Sequence, residues 1–128
     1  MGFASWAMRR NKIANTPWWL QQKCDCTTEL IRIYPIDGDY DVTSASVSWN
    51  QVTSIVAFKV DLLTTDLICC AITDGREIVT VNEEMSEWPS VMTTLNSMFG
   101  SAIQPPDWYA QVMMPAFAEN RMAIYVRS

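Results

Sequence analysis

"TSIVAFKVDLLTTDLICCAITDGREIVTVN", residues 53–82, decides how this chain folds. It holds three β-prone runs, 53–62, 65–72 and 76–82, separated by turn-forming residues. The middle run is apolar at successive positions, hence on both faces of a strand, and that predicts a central strand covered on both sides. Its adjacent Cys69 and Cys70 then point in opposite directions and behave as small hydrophobes. Asp61 and Asp66 bracket the first turn, and Thr73, Asp74, Gly75 and Arg76 form the second, where an Asp-Gly pair suits a hairpin.

Outward from this meander the pattern continues on both sides. "SASVSW" (44–49) alternates, with Ala45, Val47 and Trp49 inward and Ser44, Ser46 and Ser48 outward. "ELIRIYPI" (29–36) is a β-prone run that stops at Pro35, before the turn "DGDYD". On the other side the period changes from two to 3.6: Trp88, Val91, Met92, Leu95 and Phe99 share one helical face. Ser86 is placed as the N-cap, Pro89 is tolerated in the first turn, and Gly100 stops the helix. A short helix over 107–114, ended by Pro115, and a last strand, "RMAIYV" (121–126), complete the body, while "WAMRRNKIA" suits an N-terminal helix. The expected fold is α+β: a curved antiparallel sheet of about five to six strands packed by the amphipathic helix at 88–99. A chain of 128 residues, about half apolar, supports one domain over 24–128 behind a basic, tryptophan-rich segment at 1–23.

Charge is distributed unevenly along the chain. Arg9, Arg10, Lys12 and Lys23 precede residue 24 with no acid among them, and the remainder carries all fourteen acids against five bases. An acidic body is repelled by nucleic acid and anionic lipid and attracts basic proteins, so neither nucleic acid nor membrane is an expected partner. No run of about 18 apolar residues suits a membrane span, and the start of the chain lacks the apolar core and small-residue cleavage site of a secretory signal. A reduced, cytoplasmic protein is therefore expected. Cys24 and Cys26 form C-x-C, not the spacing of a structural zinc site, and are read as the more exposed of the four cysteines.

The chain has no histidine, and no nucleophile elbow, phosphate loop or zinc-protease motif. The expectation is a protein that is not an enzyme and uses no cofactor or metal. "VNEEMSEWPS" (81–90) nevertheless gathers Glu83, Glu84 and Glu87 at a strand-to-helix junction. Acids are favoured at a helix N-terminus, which explains Glu87. Glu83 and Glu84 are adjacent on a strand and point apart, a poor arrangement for a two-carboxylate hydrolase. With Asp61 and Asp66 they are candidate contacts for a positively charged partner. Trp49 and Trp88 fit core positions; Trp18 and Trp19, in "PWWL", are the aromatic candidates for a binding surface.

The stretch "SWNQVTSIVAFKVDLLTTDLICCAITDGREIVTVNEEMSEWPSVMTTL", with "PPDW" and "VMMPAFAENRMAIYVR", resembles small bacterial immunity proteins of contact-dependent growth inhibition and related polymorphic toxin systems. The resemblance covers roughly residues 45–127. It implies a protein that binds the C-terminal domain of a cognate toxin as a 1:1 complex and covers its active site or substrate surface. If the toxin is a nuclease with a basic surface, Asp61, Asp66, Glu83, Glu84 and Glu87 meet its Lys and Arg while an exposed tryptophan anchors the contact. Two alternatives stay open: a protein-docking module built like a pleckstrin-homology domain, whose lipid-binding version is disfavoured by the acidic "IDGDYD", and a carboxylate-based hydrolase.

Overall fold

The computed structural model describes residues 22–35, 44–62, 65–99, 112 and 120–127. Among them the order is β1 (Gln22–Cys26), β2 (Leu30–Pro35), β3 (Ala45–Ser48), a 3₁₀ turn (Trp49–Gln51), β4 (Ser54–Asp61), β5 (Asp66–Thr73), β6 (Ile78–Asn82), α1 (Trp88–Met98) and β7 (Asn120–Val126). The mixed, sheet-rich class is as expected. The strands, however, form two antiparallel sheets in place of one: β1-β2-β3, and β6-β5-β4-β7. The last strand expected after the helix is present as β7, which pairs with β4.

The 3₁₀ turn explains the split. At Trp49 the chain leaves the extended conformation: its backbone N–H donates to the Glu29 carbonyl at 3.0 Å, and the Val52 N–H closes the turn on the Trp49 carbonyl at 3.3 Å. The ladder running from β2 to β3 is interrupted there, and β4 starts a second sheet. β1 was not anticipated, because "QKCDC" is rich in residues with low strand propensity. Pairing with β2 over its whole length, from Gln22 opposite Pro35 to Cys26 opposite Ile31, supplies what propensity does not. The strand begins at Gln22, so Gln22 and Lys23 belong to the sheet.

Alternation sets the core. β4 buries Ile55, Ala57 and Lys59 on one face, and β5 buries Leu67, Ile68, Cys69 and Cys70 in succession, as expected for an interior strand. Sheet one contributes Cys24, Ile31, Ile33 and Val47, and β6 packs against β2 and β3. Each fully buried aliphatic side chain contributes about 1.5–3 kcal/mol. The β5–β6 hairpin follows its sequence: Gly75 takes φ +94°, and the Asp74 carboxylate accepts the backbone N–H of Arg76 and of Glu77, both at 2.8 Å. Those bonds, Glu77's foremost, hold its carboxyl below the usual aspartate range.

Along α1, Val91 and Leu95 are buried, Trp88 and Met92 pack against the core, and Phe99 is buried just beyond the last turn. The N-cap is Glu87 and not Ser86. Two tight turns, Met85 N–H to the Asn82 carbonyl and Trp88 N–H to the Met85 carbonyl, both 3.1 Å, delay the helix by one residue. Gly100 and most of the anticipated helix at 107–114 lie outside the described residues, where Val112 alone is placed, helical and buried. Among the described residues no helix is long and apolar enough to cross a membrane.

Candidate functional site at the acidic end of the four-stranded sheet

The register of the second sheet collects four of the sequence-marked acids at one end. Asp61 closes β4 and Asp66 opens β5 directly opposite it. The turn between them is held by the Leu62 N–H on the Thr65 carbonyl at 2.9 Å. Glu83 and Glu84 follow β6 at the same end, where the Glu83 N–H donates to the Ile68 carbonyl at 3.0 Å. Glu87 is turned elsewhere, toward the first sheet. Trp18 and Trp19 lie outside the described residues.

These carboxylates are not equivalent. Asp66 is no surface acid: its side chain is 11% exposed and lies 3.4 Å from the ammonium of Lys59, which has no exposed side-chain area. Lys59 occupies the inward position two residues after Ala57, so alternation pushes a cation into the interior and Asp66 supplies the counter-charge. The cue was legible in "IVAFKVD", where Lys59 continues the Ile55–Ala57 face. Glu83 Oε1 accepts the Ile68 N–H at 3.0 Å, so backbone and side chain of one residue together extend the β5–β6 ladder. Asn82, buried beside it, accepts the Glu84 N–H on Oδ1 at 3.0 Å and orients the turn. The Glu84 side chain is exposed, and Asp61 is half-buried.

Glu87 ties α1 to β1. Its Oε1 accepts the Cys24 N–H at 3.0 Å, across 63 residues of chain, and its Oε2 accepts the Ser86 hydroxyl. It does not cap the helix with its side chain, which corrects the explanation by helix dipole alone. Glu87→Ala is expected to lower the unfolding free energy by about 1.5–3 kcal/mol, because it strands a backbone donor at a buried residue, whereas Glu84→Ala should stay within about 0.5 kcal/mol. Urea titration of the two variants separates the structural acid from the surface one.

The thiols belong to the fold as well. Cys24 is buried, contrary to expectation, while Cys26 is half-buried with its thiol 3.4 Å from the Thr94 hydroxyl. Burial pushes Cys24, Cys69 and Cys70 up to about 12, so at neutral pH they stay protonated and poorly nucleophilic. Among the described residues no group of three or more His, Cys, Asp or Glu is placed to hold a metal ion. The acidic end is thus an exposed Glu84 and a half-buried Asp61 beside the interior Lys59–Asp66 pair. Comparison of the chain with protein-family models, curated proteins and solved structures returned no match.

Proposed function

We propose that this chain is a non-catalytic immunity protein, which binds the toxin domain encoded next to it and covers a basic active-site or substrate surface, as on a nuclease. The observation that carries the reading is the gathering of Asp61, Asp66, Glu83 and Glu84 at one end of a sheet, above the buried ammonium of Lys59. Asp66 and Glu83 are held by the fold, so the exposed Glu84 is the acid best placed to meet a partner. Like charges converging there raise the negative potential, which steers a basic protein onto this end and speeds association.

Co-expression with the toxin region encoded immediately upstream tests the reading. Cell survival and recovery of a stable 1:1 complex are expected. Cell death despite good expression of the chain, with no complex recovered, would exclude that toxin as its partner and favour a docking module of another role.

A further inference from the structure

A second feature lies beside the start of β4, at the opposite end of the sheet from Asp61. It is an open cleft of about 610 Å³, bounded by Met98 and Phe99 at the end of α1, by Ser48, Trp49 and Asn50, and by Glu29 of the β1–β2 turn. Its size falls within the roughly 300–1,000 Å³ typical of small-molecule sites.

The walls are fixed by contacts that owe nothing to a ligand. The Trp49 indole N–H donates to the Thr27 carbonyl at 2.8 Å, and its ring meets Phe99 edge-on at 6.1 Å. Phe99 in turn leans on Tyr125, with ring centres 4.6 Å apart. The Arg127 guanidinium donates to the Asn50 carbonyl at 2.6 Å and holds that wall in place. A site held this way loses little freedom when it fills.

Its chemistry is one-sided. Met98, 40% exposed, offers a soft apolar surface backed by Phe99 and Trp49, while Ser48 and Asn50 add neutral polar groups. Among the described residues of the lining Glu29 alone carries a formal charge, and its exposed carboxylate takes part in neither the Arg32–Asp25 nor the Lys59–Asp66 pair. An anion entering here meets repulsion, and a neutral molecule leaves the carboxylate unused. A cation gains a charge-assisted contact while its carbon frame covers Met98. We propose that this cleft binds a small organic cation, an ammonium or guanidinium on an apolar body, with Glu29 as counter-charge and Met98 as the apolar wall.

The test is a titration of the ¹⁵N-labelled full chain with 2-phenylethylamine, and in parallel with 2-phenylethanol and phenylacetate as neutral and anionic counterparts. The amine should shift the amides of Ser48, Asn50, Met98 and Phe99 saturably, and bind at least about tenfold more tightly than either counterpart. Glu29→Gln should remove that advantage, whereas Glu84→Gln, at the far end of the sheet, should keep it. Absence of a saturable shift, equal binding of the alcohol or the acid, or an advantage that survives Glu29→Gln would each overturn the assignment.

Discussion

Asp66→Asn is expected to lower the unfolding free energy by about 3–5 kcal/mol, a large part of the roughly 5–15 kcal/mol that holds a domain together. Its partner Lys59 has no exposed side-chain area, and the two charges lie 3.4 Å apart. Burial strips water from the ammonium, and the carboxylate compensates for that loss. With the carboxylate gone, the ammonium loses the counter-charge 3.4 Å away while staying buried on the face it shares with Ala57, Ile68 and Cys70. The pair itself need not add net stability, because its desolvation cost offsets most of its attraction. Lys59→Met with Asp66→Leu should therefore recover most of what Asp66→Asn loses. Urea unfolding of the single and double variants measures both effects. A single-variant loss below about 1 kcal/mol, or a double variant no more stable than the single, would contradict a buried ion pair.

Trp49→Ala should cost a comparable amount, about 3–5 kcal/mol. The side chain is buried at the turn that separates the two sheets, touches Phe99 edge-on, and satisfies the Thr27 carbonyl through its indole N–H. Alanine leaves a cavity there, unseats Phe99 and removes that hydrogen bond. Trp49→Phe keeps an aromatic ring and loses the donor, so its cost should fall to about 1–2 kcal/mol. Thermal unfolding of the pair checks the order; equal losses would assign the effect to the hydrogen bond and not to packing.

Among the described residues, six of the seven strands and the helix were legible because their signals are local. β-Branched and aromatic residues mark β4 and β6, an unbroken apolar run marks β5, and the 88–95 spacing marks α1. β1 escaped because Gln22, Lys23 and Asp25 carry no strand signal until β2 is beside them. The division into two sheets escaped because Trp49 reads equally well as the end of an alternating strand. The site was legible in composition and not in role. That Glu83 caps Ile68, and that Glu87 holds Cys24 from 63 residues away, depends on tertiary neighbours that spacing does not encode. Glu84 looks the same in sequence, and only its exposure sets it apart.

The decisive measurement is the association rate of the wild-type chain and of Glu84→Lys with the purified toxin domain proposed as its partner, at low and at physiological salt. If the acidic end steers a basic partner, the wild-type rate falls as salt rises, and Glu84→Lys is several-fold slower at low salt with the difference shrinking as screening grows. Identical rates for the two proteins, unmoved by salt, would contradict a contact made through the acidic end.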